Sequence, residues 1–191
     1  MTLILVRHGQ TALNAEGRLQ GLLDSPLTDL GRRQAARIAA AVGRPARVIS
    51  SPLGRCLETA ETFGLPVDVD ERWIEIDYGD LDGVALTEVP AGVWSRWRSD
   101  PGFVPAGGES MVDVKRRVQR ACEDLVGVAG ANDVVVVSHV SPIKAAVSWA
   151  LGVGETASWR MFLDVAALCR ITVGPLGPSL LTFNEQAHLR D

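Results

Sequence analysis

Short apolar runs alternate along this chain with longer stretches in which apolar residues return every third or fourth position. Thr2 to Val6, Ala46 to Ile49 and the valines Val134 to Val137 read as strands, the last one apolar throughout and so expected at the centre of a sheet, buried on both faces. Val67 to Val69 reads as a short edge strand, and Leu168 to Val173 with Leu180 to Phe183 as a hairpin closing the sheet around a Gly- and Pro-rich turn. The helical spacings lie between these runs. Thr28 or Asp29 caps a helix with Ala35, Ile38, Ala39 and Val42 on one face, stopped by Gly43 and Pro45. Ser51-Pro52 and Ser141-Pro142 each predict a helix start directly after a strand, with Ser as N-cap and Pro at the first helical position. Ser110 and Asp113 form a capping-box-like start to a long helix whose inner face is Met111, Val114, Val118, Cys122, Leu125 and Ala129. The Ser141-Pro142 helix runs to about Leu151 and stops at Gly152. Residues 84 to 109 predict a short helix and a turn-rich connection, while Gln10 to Ser25 and 72 to 83 read as loops.

Strands alternating with helices predict an α/β fold, a three-layer α/β/α sandwich on a mainly parallel sheet whose strand carboxyl ends share one rim. One domain spanning residues 1 to 191 is expected, with about residues 73 to 110 forming a lid or pocket wall.

The rim is where the polar residues matter. Arg7-His8-Gly9 follows the first strand, Arg55 falls in the first turn after Ser51-Pro52, and His139 follows the valine strand. Taken singly, each has an ordinary explanation as a hydrogen-bonded core histidine or an exposed helix arginine. Together, two Arg, two His and two helix N-termini would make a positive pocket suited to a doubly negative tetrahedral group, a phosphoryl more than a carboxylate. A metal site is the competing reading, disfavoured because two guanidinium groups beside the histidines oppose a divalent cation and no paired carboxylates offset them. A serine hydrolase lacks its G-x-S-x-G elbow. The segment from Arg72 to Gly83 holds several carboxylates, and spacing alone does not select which carries chemistry.

Composition narrows the setting. The 191 residues, 47% hydrophobic and 22% charged with a net charge of -4, fit a globular domain without a large nucleic-acid footprint. Cys56, Cys122 and Cys169 are far apart and odd in number, which points to small apolar residues in a reducing compartment. A strand beginning at residue 2 leaves no room for a leader, and no apolar run approaches a membrane span, so a cytoplasmic protein with no membrane partner is expected.

Val6-Arg7-His8-Gly9-Gln10-Thr11 with Asn14, then Gly17-Arg18-Leu19-Gln20-Gly21 and Pro26 to Gly31, resembles the N-terminal signature of the histidine phosphatase superfamily, in its phosphoglycerate mutase-like branch. Ser50-Ser51-Pro52 with Arg55, Glu75 with Gly79 and Gly83, Gly107 to Ser110 and Val137-Ser138-His139 recur in family order, so the resemblance spans almost the whole chain. It implies a phosphoglycerate mutase-like fold and a metal-independent phosphomonoester hydrolase needing no cofactor. It further implies His8 as a transiently phosphorylated nucleophile, Arg7, Arg55 and His139 as holders of the phosphoryl oxygens, and Glu75 as acid and then base. Asn14 and Gln20 match phosphate-contacting positions.

Val140 replaces the Gly usual after the second histidine, and Ser138 to Lys144 is similar to the α-ribazole-phosphatase-like group. Its backbone N–H remains available to phosphate, with fewer backbone angles allowed by the branched side chain. Mutases of the family carry an inserted segment with an Arg pair, and the span from Gly83 to Gly107 has no room for it; Arg116-Arg117 lies elsewhere, in the long helix. Hydrolysis of a small phosphomonoester is therefore favoured over a mutase-type transfer, and over a catalytically silent phospholigand-binding protein. Trp73, Tyr78, Trp94 and Trp97 are expected around the entrance, favouring an apolar or ring-containing leaving group, although two Trp at the spacing of Trp94 and Trp97 are more often packing residues. A homodimer is compatible with the sequence, which leaves oligomeric state open.

Overall fold

The computed structural model describes residues 2–128 and 132–190. In chain order the elements are β1 (Thr2–Arg7), α1 (Ala12–Ala15), α2 (Asp29–Val42), β2 (Arg47–Ser50), α3 (Gly54–Glu61), β3 (Val67–Val69), α4 (Ala91–Ser99), α5 (Met111–Val128), β4 (Val134–Ser138), α6 (Val140–Leu151), β5 (Leu168–Gly174) and β6 (Gly177–Glu185). They form a six-stranded sheet in the order β3-β2-β4-β1-β5-β6. The β3/β2, β2/β4 and β4/β1 pairs are parallel, and the β5–β6 hairpin adds to the β1 side in antiparallel pairing. Strand β4 thus sits between β1 and β2, which precede it in sequence. Arg7 pairs with Ser138 and Ser50 with Val137, so the carboxyl ends of all three lie level on one rim.

The side-chain alternation of the strands sorts the core into two layers. Leu3, Leu5, Val134 and Val136 face α5 and α6 together with Trp73 and Ile76. Ile4, Val6, Val135 and Val137 face the other way, against Ile38 of α2 and Cys56 and Ala60 of α3. All five residues of β4 are buried, as four successive valines required. A third, smaller cluster, built from Leu19, Val89 and Trp97 with Trp94, Phe103 and Trp159 against it, stands over the rim.

Most helix ends follow their local signals. Thr28 Oγ1 accepts the Gly31 N–H, Ser110 Oγ accepts that of Asp113, and Gly152 ends α6 in the left-handed conformation at φ 65°. Ala129, assigned by spacing to the inner face of α5, lies outside the described residues. Two expectations need correction. The stretch from Gln10 to Ser25 is not all loop: Thr11 and Asn14 close a reciprocal capping box around the single turn of α1. Helix α3 starts at Gly54 with Leu53 as N-cap, and α6 at Val140 with His139 as N-cap, so neither Ser-Pro pair supplies the cap and first helical residue. Gly9 is required by close approach, since a Cβ there would meet the Gly31 carbonyl oxygen at 2.4 Å.

Candidate active site

The site grows from the end of β1. The His8 N–H continues the ladder to the Ser138 carbonyl at 3.1 Å, which holds the residue against the end of β4. Its Nδ1 lies 2.8 Å from the Gly9 carbonyl oxygen. A carbonyl only accepts, so Nδ1 carries the proton and Nε2 keeps its lone pair. His8 is 3% exposed, yet lines a cavity of about 240 Å³ at the rim, with Arg7, Glu75, Asn14 and Gln20 among its other walls. Burial holds the imidazole well below the ordinary histidine range, and the charges of Arg55 and Arg7 push it the same way, so it is neutral at pH 7.

Arg7 donates through Nη1 to the Leu163 carbonyl at 2.7 Å, while its buried Nε has no partner. Asn14 and Gln20 have their oxygens occupied from inside: Asn14 Oδ1 accepts the Thr11 N–H, and Gln20 Oε1 accepts from Thr11 Oγ1 at 2.6 Å. Both amides are thereby oriented, with their oxygens engaged by Thr11; the Asn14 NH2 is its remaining polarity, while the Gln20 NH2 also donates to the Leu23 carbonyl at 3.4 Å.

Arg55 and His139 lie behind these residues instead of at the mouth. Both are fully buried, and neither lines the cavity. Arg55 donates to the carbonyls of Gly21 (2.7 Å) and Leu23 (2.9 Å) and, through Nε, to His139 Nδ1 at 3.2 Å. That bond makes Nδ1 an acceptor, so Nε2 is the protonated nitrogen and donates to Ser51 Oγ at 2.7 Å. Burial, followed by the Arg55 charge, holds His139 below its ordinary range as well. The two imidazoles stand edge to face with centroids 5.2 Å apart.

Glu75, 4% exposed, reaches from its loop to the start of α6. Its two oxygens accept the N–H groups of Ile76 (2.9 Å), Val140 (3.1 Å) and Ser141 (3.1 Å). Asp24 does the same for α3, accepting the Gly54 N–H at 2.7 Å. The picture of two open helix N-termini is therefore corrected: each is covered by a carboxylate of the chain itself, and the Val140 N–H is held by Glu75. Positive charge facing the cavity comes from side chains.

The aromatic residues divide. Tyr78 and Trp94 line the cavity, joined by Trp159, which sequence reasoning did not single out. Trp73 is fully buried beneath α5 in the main core, and Trp97, 2% exposed, is the packed centre of the cluster over the rim, so neither stands at the entrance. Two further residues were missed. Arg117 donates to the carbonyls of Arg72, Ile74 and Glu75 while pairing with Glu109 at 2.9 Å, which clamps the loop bearing Glu75. Lys144 also lines the cavity. Its position four residues after Val140, one turn along the same face of α6, was the available signal. Among the described residues no three His, Cys, Asp or Glu side chains are grouped to hold a metal ion, and no helix is long and apolar enough to cross a membrane.

The sequence model of the histidine phosphatase superfamily (branch 1) matches residues 3–186. A bifunctional protein of Mycobacterium tuberculosis is 41% identical over 177 residues, covering 87% of this chain and 48% of the relative; the chain thus spans about half the length of the first such relatives it matches. Phosphoserine phosphatase 1 of Hydrogenobacter thermophilus is 36% identical over 197 residues, covering 98% of this chain and 93% of its own. Among solved structures, a mycobacterial glucosyl-3-phosphoglycerate phosphatase in complex with VO3 superposes with a TM-score of 0.89 at 31% identity, covering 96% of this chain and 98% of that one.

Proposed function

The chain belongs to the histidine phosphatase superfamily, and on that premise we propose that it hydrolyses small phosphomonoesters through a phosphohistidine formed on His8. The observation that carries this reading is the His8–Gly9 hydrogen bond, which leaves an unprotonated Nε2 at the cavity beside Arg7. Relatives named as phosphatases of phosphoserine and of glucosyl-3-phosphoglycerate support hydrolysis as the reaction.

In the first half-reaction His8 Nε2 forms a bond to phosphorus as the ester P–O bond breaks, and the leaving oxygen takes a proton from the Glu75 carboxyl group. In the second, water attacks the phosphorus, Glu75 takes the water's proton, and the P–N bond breaks to return neutral His8 and phosphate. Arg7, with the amides of Asn14 and Gln20, receives the equatorial oxygens. Arg55 and His139 act from behind, as fixed charge and as a hydrogen-bonded brace for the rim.

The test is phosphate release from an aryl phosphate in excess chelator, with intact protein and His8→Ala. Turnover that falls by at least about 10³-fold in the variant, with acid-labile phosphate trapped on intact protein only, is the expected result. Transfer to an added alcohol in preference to water would instead favour a mutase-type transferase. Phosphate binding without turnover would mean a silent binding protein, and activity restored only by metal would overturn the account of the pocket.

A further inference from the structure

Two polar groups on the cavity wall are left over once the phosphoryl site has been assembled. Lys144 lies partly buried on α6 and lines the cavity, where no hydrogen bond to a described residue holds it and the opposite charge acting on it is that of Glu75. Ser158, 5% exposed on the same wall, has a buried hydroxyl without a partner. The other charged residues there are already engaged: Arg18 by Glu16 and the Gly83 carbonyl, both at 2.9 Å, and Glu75 by its three N–H groups. Trp94, Trp159 and Leu86 supply the apolar remainder of the wall.

A partly buried ammonium without a hydrogen-bond acceptor and a buried hydroxyl without a partner are costly unless a ligand completes them. An uncharged alkyl or aryl leaving group cannot. The phosphoryl group has its own donors in Arg7, Asn14 and Gln20. We propose that Lys144, assisted by Ser158, receives a carboxylate on the leaving half of the substrate, which makes the preferred substrates phosphomonoesters of small hydroxy acids. This rests on the phosphomonoester reading of the site, and it makes Lys144 a specificity-determining residue.

Matched ligand pairs that differ at the carboxylate test it: O-phosphoserine against phosphoethanolamine, and 3-phosphoglycerate against glycerol phosphate. Intact protein is expected to favour the acid member of each pair at least tenfold in kcat/KM, about one charge-assisted hydrogen bond. Lys144→Gln should reduce that ratio to near one, mainly through KM, and Lys144→Glu should invert it. Ser158→Ala should lower it less. No preference in the intact protein, or an equal loss for both members in Lys144→Gln, would overturn the assignment and give Lys144 to the phosphoryl group or to Glu75. The same pairs are titrated by calorimetry into His8→Ala with and without Lys144→Gln. A carboxylate preference in binding with no turnover by intact protein would remove the hydrolysis reading and leave this one standing.

Discussion

At the scale of single residues, the site depends on which atoms are already occupied. Gly9 shows this most simply. Its hydrogen faces the Gly31 carbonyl oxygen, and Gly31 in turn faces the Gln10 carbonyl, where a Cβ would sit at 2.1 Å. Neither contact can open without moving β1 from α2. Gly9→Ala is expected to destabilise the protein by about 2–4 kcal/mol, the cost of overpacking against backbone, read as a lowered midpoint in urea. The sequence announced Arg7, His8, Arg55 and His139 as a group, because residue types and order identify a rim, whereas Glu75 was singled out only by the family resemblance. It did not show that His139 and Arg55 spend their hydrogen bonds on one another and on the carbonyls of Gly21 and Leu23. Those partners are distant in sequence, and no local pattern encodes them.

Elements carry the next layer of information, and here the Ser-Pro pairs misled. Ser51 Oγ serves His139, and α6 begins without a local cap because Glu75 arrives from another part of the chain to accept two of its first N–H groups. An N-cap signal reads only its own neighbourhood, so a cap supplied from 65 residues away is invisible to it. Glu75→Gln would turn an amide NH2 toward those N–H groups. It should cost about 1–2 kcal/mol in stability and slow alkyl phosphates far more than an activated aryl phosphate, whose leaving oxygen needs no proton. Arg117 holds the same carboxylate indirectly, through the backbone carbonyls of Arg72, Ile74 and Glu75. A lysine cannot reproduce that planar fork. Arg117→Lys is accordingly expected to lower kcat about tenfold with little change in KM, and with the leaving-group dependence of the Glu75 variant. A merely destabilised protein would lose activity equally on both esters.

Across the whole molecule, alternation along the strands was enough to fix the three layers, since Leu3, Leu5, Val134 and Val136 face one helical layer and Ile4, Val6, Val135 and Val137 the other. The aromatic cluster over the rim follows no such period. Its members come from residues 19 to 159, which is why Trp97 could be read as an entrance residue, while Trp73 belongs to the main core. Folding also encloses His8 and His139 together with Arg7 and Arg55, and this has a thermodynamic consequence. Burial first, and the arginine charges second, keep both histidines neutral in the native state at pH values where the unfolded chain protonates them. Below about pH 6.5 the unfolded state therefore binds more protons, and stability falls with pH at up to about 1.4 kcal/mol per pH unit for each histidine. The carboxylates with lowered values, among them Asp70 and Glu185, act in the same direction but nearer their own acidic range. The window from pH 6.5 down to 5 thus belongs mainly to the two histidines. Urea unfolding across it should show a loss approaching the two-proton slope in intact protein and a nearly flat profile in His8→Asn/His139→Gln. A flat profile in the intact protein would mean that the imidazoles are protonated in the folded protein as they are in the unfolded chain, leaving His8 without the lone pair that phosphoryl transfer requires.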